Sequence, residues 1–374
     1  MNFDFSEEQR SLRESARRFL SDRVSFKGLR LAHDEGRLFD RELWRDMAGL
    51  GWLGTAIPTS FGGVGLGGLE LCVIAEEVGR VLAPAPFTRA IGLVAEAVRR
   101  YGSDAQQRRL LPGIATGEIL PCFAMTEGPG VTEPEQVRAV FSSGRISGLK
   151  LPVVDANHAD VALAVCRDDA GCVALCLVDM HQTAVQVQAV KGLDPLRDQA
   201  KVVFDSASAE LLGGGAGSAA GAATLSSILD VAAVTMAFEQ IGGADACLEM
   251  ARAYALERHV FARPIGSFQA IKHRLADMVI KIELARSNAY YAGWALANDA
   301  ASLPAAAATA RLAASECFEF AARENLQIHG GIGYTWEADC HPYYTRSRGL
   351  AVALGDNLVW GDRLLSAMES DVAA

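Results

Sequence analysis

The stretch ALERHVFARPIGSFQAIKHRLADM, residues 255–278, interrupts a helical pattern with a short loop that contains a proline. Arg258, ahead of the loop, has a planar guanidinium whose fork of donors suits a pyrophosphate. Phe261 offers a flat apolar surface, and Gln269 has an amide that both donates and accepts hydrogen bonds. Taken alone, Arg258 is equally consistent with a surface cation near a helix end. Its interpretation as a phosphate ligand therefore depends on the rest of the chain.

A second unusual stretch, LQIHGGIGYTWEADCHPYY, occupies residues 326–344. It places Gly330, Gly331 and Gly333 close to aromatic side chains, acids and a histidine. Glycine allows unusual backbone angles and lets another group approach the main chain closely. The pattern thus indicates either a backbone turn or a cofactor that lies against the main chain.

Composition limits the classes of function open to the chain. Its 374 residues are enough for two or three domains, and 50% are hydrophobic while 21% are charged. This is typical of a folded globular protein, and a net charge of -10 argues against a nucleic-acid partner. The N-terminus lacks the layout of a secretory signal, and the uncharged run 211–229 is too rich in Gly, Ala and Ser for a membrane span. We expect a cytoplasmic protein with reduced thiols, no membrane association and no bound metal.

The residue pattern changes twice along the chain, from helical to strand-like and back to helical. Residues 1–119 carry helical patterns such as DRELWRDMAGLGWLG and LELCVIAEEVGRVLAPAP, the second of which is stopped by prolines. Residues 120–222 hold short, Val- and Ala-rich segments typical of antiparallel strands: RISGLKLPVV, ADVALAVCR, GCVALCLVD, TAVQVQAV and KVVFDSA. Residues 223–374 return to long helical patterns, which favour a bundle. The expected class is α+β, in three domains with these boundaries.

The two glycine- and arginine-bearing motifs together resemble the acyl-CoA dehydrogenase family. The resemblance is carried by E-R-x-x-F-x-x-P-I-G-x-F-Q from Glu257 and Q-x-H-G-G-x-G-Y from Gln327, and by the FDRELW segment at 39–44. It implies a helical N-domain, a β-barrel-like middle domain and a C-terminal four-helix bundle. It also implies FAD, an acyl-CoA substrate, a role in lipid metabolism, and electron-transfer flavoprotein or a similar acceptor.

The resemblance assigns FAD contacts to two segments and to the β domain. The first segment is expected to meet the cofactor from one chain and the second from its neighbour, so the family implies a homodimer, a homotetramer or an α2β2 heterotetramer. The residues assigned are Arg258, Phe261 and Gln269, then Gln327, Gly330 and Gly331, and in the β domain Met125 and Thr126.

The catalytic base departs from the family pattern. In relatives a glutamate removes the α-proton of the thioester while the β-hydrogen leaves as hydride to the flavin. The corresponding position here is Leu354, and the alternative family position near Ala232 is not acidic either. Glu239, in an apolar helical run, and Asp356, two residues after Leu354, are the candidate bases. The alternatives are a buried Glu239 paired with an arginine, an Asp356 that caps the following helix or contacts the cofactor, and no base in this chain.

The segments expected at the flavin ring also depart from the pattern. Pro152 and Val154 occupy positions where relatives carry a tryptophan and a threonine. This imbalance is similar to that of small or partner subunits of two-gene acyl-CoA dehydrogenases, such as the pimeloyl-CoA dehydrogenase small subunit. Two functions follow as hypotheses. The chain is either an enzyme that oxidises an acyl-CoA to the enoyl-CoA, or a degenerate subunit that contributes FAD contacts to a catalytic partner.

Overall fold

The computed structural model describes residues 6–128, 136–214 and 218–373. The chain starts with a layer of helices that precedes the first strand. These helices are α1 (Glu7–Arg23), α2 (Phe26–Asp34), α3 (Arg41–Gly49), α4 (Gly68–Arg80), α5 (Phe87–Arg89), α6 (Glu96–Tyr101) and α7 (Asp104–Ala115), with a π-helical segment, Ala90–Ala95, between α5 and α6.

Local sequence explains where these helices begin and which face they bury. The side chain of Asp40 accepts hydrogen bonds from the backbone N–H groups of Glu42 and Leu43, which caps α3. That helix then buries Leu43, Trp44 and Met47, which recur at helical spacing. Both Leu43 and Met47 follow the helical periodicity of the sequence.

Seven strands form the middle domain in the part of it that the structure describes. They are β1 (Pro121–Ala124), β2 (Val140–Ser142), β3 (Arg145–Val154), β4 (Val161–Arg167), β5 (Val173–Asp179), β6 (Val185–Ala189) and β7 (Gln199–Leu211). The sheet follows the order β1-β4-β2-β3-β7-β5, and β5 also pairs with β4, so the strands close into a ring. All five segments that were predicted as strands are strands, and the sequence analysis missed the short β1 and β2.

Among the described residues, five helices form the C-terminal domain. A short hairpin of two strands lies between the first helix and the second. The helices are α8 (Ser218–Glu257), α9 (Gln269–Ala297), α10 (Leu303–His329), α11 (Cys340–Val352) and α12 (Asn357–Ala373), and the hairpin strands are β8 (His259–Val260) and β9 (Arg263–Pro264). Helix α8 packs against α4, α9 and α10 and is the centre of the bundle.

Helix α8 is also long and apolar enough to cross a membrane, by length and composition alone. In the structure, 67% of its most apolar window is buried inside the protein, which is the burial of a bundle-core helix. The predicted domain boundaries remain predictions. The structure places the end of α7 at Ala115, the start of β1 at Pro121 and the start of α8 at Ser218, a few residues ahead of the predicted third domain.

Candidate active site

A cavity of about 1030 Å³ lies where the β domain meets the C-terminal helices. Phe123, Met125 and Thr126 line it from the β domain, and residues of α8, α11 and α12 line it from the bundle. The sequence predicted Met125 and Thr126 as flavin contacts, and the structure brings them to this wall. Pro152 and Val154 line the same wall, so the two departures from the family pattern both face the cavity.

A buried lysine fixes the β-domain wall. Lys150 is fully buried, and its ammonium donates hydrogen bonds to the carbonyl of Met125 at 3.1 Å and to the carboxylate of Glu127 at 2.7 Å. Burial lowers the pKa of Lys150, and the Glu127 carboxylate opposes that shift. The Met125–Glu127 backbone is thereby held in one position.

The position expected for the catalytic base is Leu354, on the loop between α11 and α12. Leu354 lines the cavity and has a positive φ of 59°, which is uncommon for a residue other than glycine. Arg311 supports this loop, because its guanidinium donates to the carbonyls of Leu350 and Ala353. Arg311 has no carboxylate partner among the described residues, and burial lowers its pKa to about 10. A leucine side chain held there has no proton acceptor.

Asp356 lines the cavity and directly precedes α12. Its Oδ1 accepts hydrogen bonds from the backbone N–H groups of Leu358 at 3.0 Å and Val359 at 3.1 Å. This is the geometry of a helix N-cap. Of the roles left open by the sequence, helix capping is the one that this geometry shows.

Glu239 lies inside a buried cluster of charges. Its side chain is 2% exposed, and its carboxylate accepts hydrogen bonds from the Thr88 hydroxyl and from Arg197 at 3.3 Å, with Arg346 at 3.8 Å. Glu239 is not among the described residues that line the cavity. Both of its oxygens are engaged, which matches the alternative of an arginine-paired buried acid. A catalytic role for Glu239 stays a prediction that this geometry does not favour.

Asp230 is a cavity-lining acid that the sequence analysis missed. Its side chain is 5% exposed, and its Oδ1 accepts a hydrogen bond from Arg363 at 2.5 Å. Burial raises the pKa of Asp230, and Arg363 offsets part of that rise. The available signal was an acid at the end of an otherwise uncharged run, on the helix expected to face the substrate.

The predicted adenosine-side residues lie on a different, exposed surface. Phe261 and Ala262 form the tip of the β8–β9 hairpin, both with positive φ, and Phe261 is 87% exposed. Two left-handed residues in succession cost about 1–2 kcal/mol each, so the hairpin holds an aromatic side chain in solvent at a conformational cost. Arg258 and Gln269 are also exposed, and Gln269 is the first residue of α9, where the helix N-terminus favours negative charge.

The glycine-rich segment lies beside this hairpin in the same chain. The rings of Tyr254, one turn before Arg258, and His329 stack with centroids 4.2 Å apart. Gly330 ends α10 with a φ of 68°, and a Cβ at Gly333 would come within 2.7 Å of a backbone carbonyl. The sequence analysis assigned the two segments to different subunits. In the structure one chain carries both at the same end of its bundle, because α8 and α10 pack side by side.

Gln327, Gly330 and Gly331 are partly or fully exposed on this surface, and a Cβ at Gly331 would meet open space. None of them lines the cavity, as far as the described residues define it. The exposed surface formed by Arg258, Phe261, Gln269 and residues 327–331 is called the adenosine face below. Within the residues that the structure describes, no group of three or more His, Cys, Asp or Glu side chains could hold a metal ion.

Comparisons with known proteins agree with this architecture. The acyl-CoA dehydrogenase N-terminal domain model matches residues 6–118, and the C-terminal domain model matches residues 219–367. The chain is 32% identical to the acyl-CoA dehydrogenase IpdE2 of Mycobacterium tuberculosis, over 93% of each chain. The chain belongs to the acyl-CoA dehydrogenase family. The predicted family and its three-part fold are therefore confirmed.

Solved structures give the same result. A steroid acyl-CoA dehydrogenase variant, Tcur3481-Tcur3483, aligns with a TM-score of 0.88 and 31% identity over 98% of this chain and 99% of that one. The ChsE4-ChsE5 complex of Mycobacterium tuberculosis aligns with a TM-score of 0.89 and 27% identity over 99% of this chain and 99% of that one. This acyl-CoA dehydrogenase is accordingly an FAD-dependent oxidoreductase, as the sequence predicted.

The residues present fit FAD on the adenosine side. An exposed aromatic ring on a strained hairpin, an arginine without a side-chain partner among the described residues and a helix N-terminus are suited to an adenine and a pyrophosphate. At the ring side, Met125 and Thr126 remain, while Pro152 provides neither the large aromatic surface nor the N–H donor of a tryptophan. The fit to FAD is thus better on the adenosine face than in the cavity.

Proposed function

We propose that this chain is one subunit of a hetero-oligomeric acyl-CoA dehydrogenase that oxidises an acyl-CoA thioester to the enoyl-CoA. Its adenosine face holds an FAD whose flavin ring lies in the cavity of a catalytic partner. The observation that carries the proposal is Leu354, an apolar side chain on the cavity wall at the family position of the base. FAD accepts the β-hydrogen as hydride, and a separate base has to accept the α-proton.

The separation of the adenosine face from the cavity supports a site shared between chains. Met125 and Thr126 line the cavity, whereas Phe261 is 87% exposed and lies outside the described lining. An aromatic ring this exposed is suited to being covered by a group from outside the fold, such as a cofactor or a second chain. Two of the similar solved structures are named for pairs of different chains, which is consistent with a hetero-oligomer.

The acids that line the cavity do not replace the missing glutamate in an obvious way. Asp356 caps α12, Asp194 is paired with Arg346, and Asp362 lies exposed at the rim. A general base needs a lone pair directed at the substrate and within hydrogen-bond reach of the proton. The carboxylates of Asp356 and Asp194 already bind other parts of the fold.

Asp230 supports a second candidate function, in which the chain is a complete dehydrogenase and Asp230 is its base. Asp230 lines the cavity, and burial raises its pKa, which strengthens it as a base once ionised. Its ion pair with Arg363 opposes this role, because the guanidinium stabilises the carboxylate and occupies one oxygen.

Turnover by the purified chain alone distinguishes the two functions. The assay uses straight-chain, branched and ring-bearing acyl-CoAs with an artificial electron acceptor, and native mass and flavin content are measured on the same sample. The proposed subunit role predicts no turnover and incomplete flavin when the chain is purified alone, and turnover once it is purified together with its partner. Turnover by the lone chain that Asp230→Asn abolishes, with the flavin still bound, would establish the second candidate instead.

Electron-transfer flavoprotein is the acceptor we expect for the complete assembly, since two of the similar proteins are named with such flavoproteins. A cytoplasmic location also stays a prediction. Its support is the absence of disulfides among eight cysteines, seven of which are buried.

A further inference from the structure

The cavity has an exposed rim and an enclosed interior. Leu193 and Val352 are 65% and 66% exposed at the rim, whereas the lining residues Phe123, Asp194 and Leu229 are all buried. The adenosine diphosphate of coenzyme A is too polar and too large to be buried at the enclosed end. An acyl-CoA in this cavity therefore directs its acyl group inward.

Arg89 lines this cavity next to buried charges. No carboxylate lies within 4 Å of its guanidinium among the residues that the structure describes, and its side chain donates no hydrogen bond to them. Burial and the nearby Arg197 lower the pKa of Arg89, and Asp155 and Glu239 oppose this only in part. The neighbouring charge with the largest effect on Arg89 is thus another arginine.

Of the two acids that act most strongly on Arg89, Glu239 is engaged elsewhere. Glu239 accepts from Thr88 and Arg197, whereas Asp155 lies 3.9 Å from Arg197 and its Oδ2 has no hydrogen-bond partner among the described residues. Burial raises the pKa of Asp155, and the nearby Arg197 and Arg89 oppose that rise. An unpaired charge in an enclosed site is costly, so an arginine held there indicates a ligand with the opposite charge.

The backbone around Arg89 is held in place from both sides. The carbonyl of Ala85 accepts a hydrogen bond from Arg197 at 2.9 Å, and the Thr88 hydroxyl donates one to Glu239. The π-helical segment Ala90–Ala95 follows directly, and a Cβ at Gly92 would come within 2.8 Å of Thr235 on α8. The backbone that carries Arg89 therefore cannot shift without moving buried neighbours.

We propose that Arg89 binds an anionic group on the acyl portion of a CoA thioester, as in the monothioester of a dicarboxylic acid. The planar guanidinium can pair with a carboxylate through two parallel hydrogen bonds, which a neutral hydrocarbon chain cannot offer. The ligand class of this chain's cavity is then an acyl-CoA with a second acidic group. This rests on the proposed function only in taking an acyl-CoA as the ligand.

Matched pairs of thioesters test the proposal by binding alone. The purified assembly is titrated calorimetrically with glutaryl-CoA against pentanoyl-CoA, adipoyl-CoA against hexanoyl-CoA, and suberoyl-CoA against octanoyl-CoA. For at least one chain length, the ester with the free carboxylate should bind about 10- to 100-fold more tightly. Arg89→Met should remove that preference and leave the affinity for the neutral ester and the flavin content unchanged. Arg89→Lys should keep part of it, because the charge remains without the fork.

Arg348→Met is the matched control, since Arg348 lines the rim of the same cavity and is 52% exposed. It should change both esters of a pair equally. Absence of any preference in the wild type, or a preference that survives in Arg89→Met, overturns the role of Arg89 and leaves the subunit function standing. Turnover by the lone chain overturns the subunit function and leaves the ester preference as an independent result. If Arg89→Met does not fold, Arg89→Lys decides: a reduced preference supports the role of Arg89, and an unchanged preference overturns it.

Discussion

The adenosine face and the cavity diverge in how far they keep the family pattern. On the adenosine face, Arg258, Phe261 and Gln269 keep the residue types of the motif and are exposed, and Phe261 is held outward by a strained hairpin. In the cavity, Leu354 and Pro152 replace groups that would act on the substrate or contact the flavin ring.

The difference indicates which surface belongs to the chain's own site and which contributes contacts to the site of a neighbouring chain. A chain that only lends contacts to another chain's cofactor must keep its outward-facing ligands, whereas its own cavity is free to lose the base. The cavity has nevertheless kept a charged interior, with Arg89 unpaired among the described residues and Asp230 paired to Arg363. It has changed its chemistry without being filled by apolar side chains.

The largest expected effect is on stability and comes from Glu239→Gln. This change removes one charge from a buried cluster and leaves Arg197 and Arg346 without their shared partner, which should lower the free energy of unfolding by about 3 kcal/mol. Chemical denaturation measures the loss. Glu14→Gln is the control, because Glu14 is an exposed acid on α1 and should change stability by less than about 0.5 kcal/mol.

Glu239→Gln also separates the structural role from the catalytic one. If Glu239 were the base, its removal would abolish turnover of the assembly while stability and flavin content stayed at wild-type values. We expect the reverse, with reduced stability and turnover per folded molecule retained. A stable, flavin-loaded and inactive variant would contradict the comparison drawn above, because the cavity would then hold a base.

The residues of the adenosine face could be singled out from the sequence because the information for them is local. Arg258, Phe261 and Gln269 lie within twelve residues of one another along the chain, and the helix–loop–helix pattern around them is visible in periodicity. Glu239 could not be predicted in the same way. Its partners come from three distant segments, at separations of 151, 42 and 107 residues for Thr88, Arg197 and Arg346.

Cavity residues were missed for a related reason. Arg89 lies on a three-residue helix followed by a π-helical turn, which has no periodicity that a sequence pattern could show. Asp230 was used to mark the end of an uncharged run, and its exposure to the cavity depends on how α8 packs against α12. Chemistry that arises from packed side chains of several elements is not encoded in any one window of sequence.

The next effect in size is on cofactor retention and comes from Arg258→Ala. Loss of a charge-assisted contact to the pyrophosphate should weaken FAD binding to the assembly by roughly 10- to 100-fold. The measurement is flavin per chain after gel filtration, together with an FAD titration. Arg252→Ala is a matched control, since Arg252 is an exposed arginine on α8, the helix that ends directly before Arg258. Equal flavin content in both variants would show that the adenosine face does not hold the cofactor.

The smallest expected effect comes from Asp356. Asp356→Ala removes the N-cap of α12 and should lower the free energy of unfolding by about 1 kcal/mol. Asp362→Ala is the control, because Asp362 lines the same cavity six residues later and caps no helix. Asp356→Asn tests the other role, since asparagine is as good an N-cap as aspartate but lacks the charge. We expect Asp356→Asn to keep both stability and FAD. Loss of flavin at unchanged stability would instead show that the carboxylate of Asp356 acts on the cofactor, and the cavity would then keep more of the family's chemistry than Leu354 indicates.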